Sequence, residues 1–310
     1  MDRTSIYYKQ VQLLIQILPI IAEEDCFALK GGTAINLFEK NLPRLSVDID
    51  LVFLPVLDRK DSLTEISTAL ARIAKEIRET WKEARVVEAF KNKQDALRLI
   101  VSRNGVQVKI ELSPVLRGTV YEPKMRSVCD KVEDEFGFAE IQVVHPADLY
   151  AGKICAALDR QHPRDLYDIL LLLDDTGINE ELRRAFIVYL ISHPRPISEL
   201  LQPGLKDISA TYYGEFEHMT EEHVSKDRLE EGLKQLITTI NSGLTENERQ
   251  FLLSFKQNKP DWELLGLHGI KELPAVKWKQ QNLGKMPAEK HKTALEKLQS
   301  VLYDERWLSK

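Results

Sequence analysis

Hydrophobic and polar positions alternate in several short segments of the first 145 residues, which is typical of β-strands with one buried face. These predicted strands are 26–29, 47–53, 97–101, 106–112 and 138–143. The dipeptide Asn104-Gly105 lies between the third and fourth of them and predicts a hairpin with a two-residue turn. We therefore expect a β-sheet in this part of the chain.

Apolar residues recur at helical spacing between these strands and through the rest of the chain. The predicted helices of the first part are 4–24, 33–40 and 62–81. We expect Pro19 to bend or break the first helix, and Ser62 with Glu65 to form a capping box on the third. From Pro146 to the C-terminus the pattern is helical, with a long polar connection at 256–287 before a last helix.

Together these patterns predict an α+β protein with two domains. Residues 1–145 would form a small mixed β-sheet core with flanking helices, and residues 146–310 a mostly helical domain. The absence of a long apolar run and of a signal-like N-terminus predicts a cytoplasmic protein without membrane association. The cysteines are expected to be reduced core residues, because Cys26, Cys129 and Cys155 have no metal-ligand spacing.

The charge balance argues against a general polyanion binder, since the net charge is −5. The charge is unevenly distributed, however. Residues 256–310 carry eleven Lys and Arg against seven Asp and Glu. Any contact with nucleic acid is therefore expected to be local, and the lysine-rich stretch 271–297, with Trp278 between two lysines, is the candidate.

Two aspartates interrupt the apolar alternation of the strand at 47–53. Because side chains alternate across a strand, Asp48 and Asp50 share one face. Neighbouring carboxylates repel each other unless a cation neutralises them, and Mg²⁺ is the usual cation of all-oxygen sites. Gly31-Gly32 stands upstream at the start of a helix, where backbone N–H groups and the helix dipole favour a phosphate. The segment therefore predicts a metal-dependent site for nucleoside triphosphates.

A third carboxylate lies on the polar face of the strand at 106–112. Glu111 shares this face with Lys109, because the two positions are two residues apart. If this strand neighbours that of Asp48 and Asp50, three acids meet on one patch. The alternative is that Glu111 is an ordinary exposed glutamate.

A second group of charged residues falls in the helical hairpin 145–175. Lys153 lies amid apolar residues, and its plainest interpretation is a side chain that extends to the surface. Asp165 and Asp168 are three residues apart and face the same way in a helix. Helix-dipole complementation explains one of these acids but not the whole group. With Arg164, the lysine would offset the charge of a triphosphate.

The quoted residues match a known family. Its motifs read here KGGTA, R-x-S-x-D-I-D, K-I-E, D-L-x-x-x-K and R-D-L-Y-D between residues 30 and 168. This combination resembles the AbiEii/AbiGii type of toxin, a branch of the nucleotidyltransferase superfamily to which DNA polymerase β belongs. The resemblance implies Mg²⁺-dependent nucleotide binding, a helical domain that closes the nucleotide cleft, and a separately encoded antitoxin. It also implies nucleotide addition at the 3′ end of tRNA.

Carried over by position, the resemblance assigns roles to individual residues. The predicted nucleotide-binding residues are Gly31, Gly32, Thr33, Lys109, Lys153, Arg164 and Asp168. The predicted catalytic residues are Asp48, Asp50, Glu111, Lys153 and Asp165, of which the first three would bind two Mg²⁺ ions. The chain departs from the wider superfamily at Thr33, where serine is usual, and at Glu111, where aspartate is commoner.

The predicted function is therefore transfer of a nucleotide from a nucleoside triphosphate to an acceptor hydroxyl, with tRNA as the expected acceptor. Two alternatives remain open at this point. In the first alternative, the acceptor would be a protein or a small molecule. In the second, the chain binds GTP or another triphosphate and acts by sequestration without turnover.

Overall fold

The computed structural model of the protein describes residues 3–91, 93, 96–217, 219–220 and 222–308. The chain forms two compact units. One unit comprises Met1–His145 and Met219–Glu222, and the other comprises Pro146–His218 and His223–Lys310. The short segment joins the first unit through backbone contacts, since the Leu45 N–H donates to the Met219 carbonyl at 3.2 Å.

A mixed β-sheet forms the centre of the first unit, as the sequence predicted. Within the described residues its seven strands are β1 (Phe27–Lys30), β2 (Asp48–Phe53), β3 (Arg85–Glu88), β4 (Arg98–Arg103), β5 (Val106–Leu112), β6 (Lys124–Ser127) and β7 (Glu140–Val143). Their order is β3-β4-β5-β2-β1-β7-β6. The pairs β2–β5 and β1–β7 are parallel, and the others are antiparallel. The central strands β2 and β5 are therefore direct neighbours.

The predicted hairpin is present between β4 and β5. Asn104 and Gly105 both have positive φ angles, 50° and 78°, as a two-residue turn of this kind requires. The turn fixes the register, in which Arg103 pairs with Val106 and Arg98 pairs with Glu111.

Helices pack against this sheet. The helices of the first unit are α1 (Ile6–Ala22), α2 (Gly31–Ala34), α3 (Arg59–Thr80) and α4 (Asp130–Phe136), with a π-helical turn at Ile35–Glu39 directly after α2. Of the bend or break predicted at Pro19, the break is wrong, because α1 continues through the proline. Ile17, Leu18 and Ile21 are fully buried on both sides of the proline, and this packing outweighs the lost backbone hydrogen bond.

The predicted capping box on the third helix is also wrong, since α3 begins three residues earlier than expected. Asp58 caps it by accepting a hydrogen bond from the Asp61 N–H at 2.9 Å. Ser62 is buried inside the helix instead. Aspartate is as good an N-cap as serine, so the local sequence alone does not distinguish a helix start at Asp58 from one at Ser62.

The described residues of the second unit contain helices and short 3₁₀ turns and no β-strand. The helices are α5 (Pro146–Arg160), α6 (Pro163–Asp175), α7 (Glu180–Ser192), α8 (Ile197–Leu201), α9 (Ser209–Glu215), α10 (Lys226–Gly243), α11 (Glu246–Lys256), α12 (Pro274–Gly284), α13 (Ala288–Leu302) and α14 (Glu305–Leu308). The segment 256–287, predicted as a long connection, contains α12. None of the described helices is long and apolar enough to cross a membrane.

Candidate active site

The polar faces of β2 and β5 form one continuous patch. In the parallel register Asp48 pairs with Lys109 and Asp50 pairs with Glu111. Residues at paired positions of neighbouring strands point to the same face, so these four side chains lie side by side. All four are partly exposed. The structure thus brings together the three acids that the alternation placed on two separate strands.

Within this patch Glu111 is engaged by two cations. Its Oε2 lies 3.0 Å from the Lys109 Nζ, and its Oε1 lies 3.6 Å from an Arg98 Nη. Burial lowers the pKa of Lys109, but attraction from Glu111, Asp48 and Asp50 outweighs burial and raises it. Among the described residues, no three carboxylate, imidazole or thiol side chains are arranged to hold a metal ion. The predicted role of Glu111 as a third metal ligand therefore stays a prediction.

Arg98 was absent from the sequence-based site, although a signal for it existed. A two-residue turn at Asn104-Gly105 fixes which residues of the hairpin face each other, and counting back from it places Arg98 opposite Glu111.

The Gly31-Gly32 pair contacts this acidic patch directly. A Cβ atom on Gly31 would lie 2.4 Å from the Asp50 Oδ2, and Gly31 has a φ of 76°, in the left-handed region. A Cβ atom on Gly32 would lie 2.8 Å from an Arg44 Nη, whose guanidinium is buried. The glycines are therefore required because a carboxylate and a guanidinium approach the backbone closely.

We expect Gly31→Ala to lower the predicted nucleotidyl-transfer activity more than tenfold while leaving the protein folded. The new methyl group would push the Asp50 carboxylate away from its position and strain a backbone with positive φ. Steady-state turnover and circular dichroism measure the two effects. Gly137→Ala is a matched control, because Gly137 also has a positive φ but has open space where its Cβ would be. Equal activity in the two variants would contradict the packing argument.

Thr33 ties the glycine turn to β2. Its hydroxyl lies within hydrogen-bond distance of the Asp48 carbonyl and, at 3.0 Å, of the Ser46 Oγ. The side chain is 1% exposed. Because the hydroxyl is buried on the strand, only the backbone N–H of Thr33 is suited to the predicted contact with phosphate.

The second predicted group of residues forms a buried ion cluster between α5 and α6. The Lys153 Nζ lies 2.9 Å from Asp165 Oδ1 and 2.9 Å from Asp168 Oδ2. The exposed fractions of these side chains are 7%, 1% and 0%, so Lys153 does not extend to the surface. Arg160 adds a bidentate contact to Asp165. Two cations and two carboxylates thus balance each other.

Electrostatics hold the Asp165 carboxylate of this cluster in its ionised form. Burial raises the pKa of Asp165, but the Lys153 ammonium and the Arg160 guanidinium outweigh burial and hold that pKa well below its usual range. The Lys153 ammonium is therefore committed to two carboxylates in the free protein. Its predicted contact with a triphosphate requires that this cluster rearrange, and it stays a prediction.

Arg164 lies at the start of α6, beside the residue that caps the helix. The His162 Nδ1 accepts from the Arg164 N–H at 3.2 Å, and the His162 Nε2 lies 3.2 Å from a Glu215 carboxylate oxygen. Burial lowers the pKa of His162. The Arg164 guanidinium lies 3.5 Å from the same Glu215 oxygen. The structure thus gives Arg164 a carboxylate partner, and its predicted contact with nucleotide remains untested.

The lysine-rich stretch lies mainly on helices and not on the long polar connection predicted for 256–287. Trp278 lies on α12 and is 44% exposed. The Lys279 Nζ donates to backbone carbonyls that follow α7, at 2.8 Å from that of Arg195 and 3.3 Å from that of Pro194. Lys279 therefore caps a helix end and is not a phosphate contact, which removes it from the predicted nucleic-acid patch.

Most of the chain matches a known protein family. Residues 12–282 match the family described as nucleotidyl transferase AbiEii toxin of type IV toxin–antitoxin systems. The chain belongs to this family. It is therefore a nucleotidyltransferase, as the motifs predicted, and family membership implies a nucleoside triphosphate substrate and a cognate antitoxin.

A solved structure shares the fold of this AbiEii-family protein. MenT4, a nucleotidyltransferase toxin from Mycobacterium tuberculosis H37Rv, superimposes with a TM-score of 0.58. The superposition covers 96% of this chain and 93% of MenT4, at 14% sequence identity. No curated protein matches the sequence. The fold is therefore that of a nucleotidyltransferase toxin over nearly the whole chain.

Proposed function

We propose that the protein uses Mg²⁺ to transfer a nucleotide from a nucleoside triphosphate to a hydroxyl at the 3′ end of tRNA. The observation that carries this proposal is the close approach of the Asp50 carboxylate to Gly31, with Asp48 on the same strand face. The glycine turn, which we propose binds phosphate, and a pair of carboxylates are thereby held in contact. This is the pairing that a metal-bound triphosphate needs.

The residues present fit a magnesium ion. Asp48 and Asp50 offer hard oxygen donors on one face, and the cationic Lys109 pairs with Asp48 in the register of the neighbouring strand. These two aspartates would hold the metal. When bound, Mg²⁺ neutralises charge on the attacking and leaving oxygens of the transfer. We propose two Mg²⁺ ions, because two would suit this chemistry.

The chain's own groups supply the rest of the mechanism. An acceptor hydroxyl attacks the α-phosphorus of the triphosphate, and pyrophosphate leaves. The N–H groups of Gly31, Gly32 and Thr33 are free of intrahelical partners at the start of α2 and would bind phosphate oxygens. Lys109 would offset phosphate charge from the neighbouring strand. Glu111 would accept the proton of the acceptor hydroxyl or keep Lys109 in place.

Pyrophosphate release tests this proposal against sequestration. With Mg²⁺, each of the four nucleoside triphosphates and total bacterial tRNA, we expect stoichiometric pyrophosphate for every nucleotide added. Tight triphosphate binding without pyrophosphate would favour the sequestration alternative. If pyrophosphate release depended on an added protein or small molecule instead of tRNA, the acceptor would be that protein or small molecule.

The tRNA assignment draws on the exposed surface of α12 and α13. Trp278 offers a face on which a base stacks, and nearby lysines are exposed on these helices or just outside them. These exposed lysines are Lys271, Lys277, Lys285, Lys290, Lys292 and Lys297. Lys277 lies 2.7 Å from Glu272, so a phosphate would have to replace an exposed ion pair.

We expect Trp278→Ala to weaken tRNA binding about tenfold, because loss of one base–aromatic stack costs about 1–3 kcal/mol. Filter binding with labelled tRNA measures the affinity, and nucleotide binding should stay unchanged. Tyr213→Ala is the matched control, since Tyr213 is an exposed aromatic residue of the same unit, 62% exposed. Unchanged tRNA affinity in the Trp278 variant would remove this surface from the account.

A further inference from the structure

Lys109 occupies the patch in which the proposed magnesium site lies. Its Nζ is 3.0 Å from Glu111 Oε2, and its Cα pairs with that of Asp48 in the parallel register of β2 and β5. Asp48, Asp50 and Glu111 all attract the ammonium. In the free protein a side chain of this chain thus supplies positive charge to the carboxylates that a metal would otherwise neutralise.

We propose that Lys109 is a resident counter-ion of the metal site and is exchanged for metal when nucleotide binds. The ammonium neutralises the aspartates in the free protein. A bound triphosphate draws the ammonium to its phosphates, and the vacated carboxylates take the divalent cation. This inference rests on the proposed metal-dependent function. It adds that nucleotide binding precedes tight binding of the metal.

Exposure distinguishes Lys109 from Lys153, the buried lysine between α5 and α6. The Lys109 side chain is 39% exposed, and one carboxylate lies within ion-pair distance at 3.0 Å. Lys153, by contrast, is 7% exposed and has two carboxylates at 2.9 Å. A flexible four-carbon stem with an exposed head can move at small cost. Lys109 is therefore the lysine suited to exchange, and Lys153 is suited to a fixed role.

Glu111 remains neutralised when Lys109 moves. Its second oxygen lies 3.6 Å from the Arg98 guanidinium, which pairs with it across the β4–β5 hairpin. Arg98 thus provides the charge that Glu111 needs after the exchange. In this arrangement Glu111 is a positioning residue, which holds Lys109 beside the aspartates until phosphates arrive.

Competition between two cations for the same carboxylates has a thermodynamic consequence. A metal ion that enters while the ammonium is present meets like-charge repulsion. Nucleotide binding removes this repulsion, so nucleotide and metal each increase the affinity for the other by the same factor. The free protein should therefore bind divalent cations weakly and the nucleotide complex should bind them tightly.

We test this with Lys109→Met and the binding of Mn²⁺, followed by the electron paramagnetic resonance signal of the free ion. Without nucleotide, the variant should bind Mn²⁺ about tenfold more tightly than the wild type. With an α,β-methylene triphosphate, which cannot transfer, this gain should disappear, and the variant should bind the analogue more weakly. Lys91→Met is the matched control, because Lys91 also pairs with a glutamate, Glu88 at 2.9 Å, and its loss changes the net charge equally.

The outcomes separate this proposal from the proposed function. Equal Mn²⁺ affinity of the wild type and Lys109→Met without nucleotide overturns the counter-ion role but leaves metal-dependent transfer intact. An equal gain in Lys91→Met also overturns it, because net charge would then explain the effect. Mn²⁺ binding that is undetectable in every protein, with or without the analogue, overturns the metal-dependent function itself.

Discussion

Asp50→Asn lowers the rate of nucleotidyl transfer by about a thousandfold in our account, which corresponds to about 4 kcal/mol of transition-state stabilisation. Asp50 touches the glycine turn and shares its strand face with Asp48, so it is the carboxylate that joins metal and triphosphate. An amide keeps the shape but removes the negative charge. Single-turnover kinetics with saturating nucleotide measure the loss.

This variant should remain folded. Asp50 is partly exposed, and its neutralisation removes repulsion between two neighbouring carboxylates. The melting temperature is therefore expected to stay the same or to rise slightly. Asp130→Asn, on the exposed first turn of α4, provides the control for the loss of one charge. If Asp50→Asn retained more than a tenth of the activity, the proposed role of this residue would be wrong.

The second large effect is on stability. We expect Lys153→Met to lower the free energy of unfolding by about 3–5 kcal/mol, because breaking a buried ion pair leaves uncompensated charge. Asp165 and Asp168 are 1% and 0% exposed, and both lie 2.9 Å from the ammonium that would be lost. A fall in melting temperature of about 10 °C follows for a unit of this size. Differential scanning calorimetry measures it.

Two further variants identify charge as the cause. Lys153→Met combined with Asp165→Asn and Asp168→Asn should recover part of the loss, since neutral amides are cheaper to bury than carboxylates without a partner. Lys226→Met, which breaks the partly exposed pair with Glu230 at 2.9 Å, should lower the melting temperature far less. A Lys153 variant as stable as the wild type would refute the account of the buried cluster.

The polar face of the active-site strands was predictable because side chains alternate with a period of two. Asp48 and Asp50 had to share a face wherever β2 lay in the sheet. The pairing of β5 with β2 could not be predicted from the sequence. Parallel partners are separated by long crossovers, and no local turn fixes their order. The meeting of Glu111 with the two aspartates thus depended on tertiary structure.

Short strands with little apolar alternation escaped prediction. β6 (Lys124–Ser127) has no fully buried residue, so its polar sequence resembles a loop. α12 was missed for a different reason. Its start was marked by Pro274 in the first turn, and its buried Val276 and Leu283 are seven residues apart, as one helix face requires. The high lysine content of the segment outweighed both signals.

The buried cluster shows the limit of local reasoning about single side chains. Lys153 lies in an apolar sequence context, which suggested a lysine that reaches the surface. Its partners Asp165 and Asp168 lie on the next helix and approach it only because α5 and α6 pack together. The sequence shows which residues of the group are charged. That they neutralise one another follows only from the packing of α5 against α6.

The most direct test of the account compares labelled triphosphates in one assay. Each of the four nucleotides is supplied with ³²P at either the α- or the γ-phosphate, together with total bacterial tRNA and Mg²⁺. We predict that RNA gains label from the α-position of at least one nucleotide and from no γ-position, and that chelation of the metal prevents this. Label from the γ-position, or α-label that persists in Asp50→Asn, would contradict nucleotidyl transfer at this site.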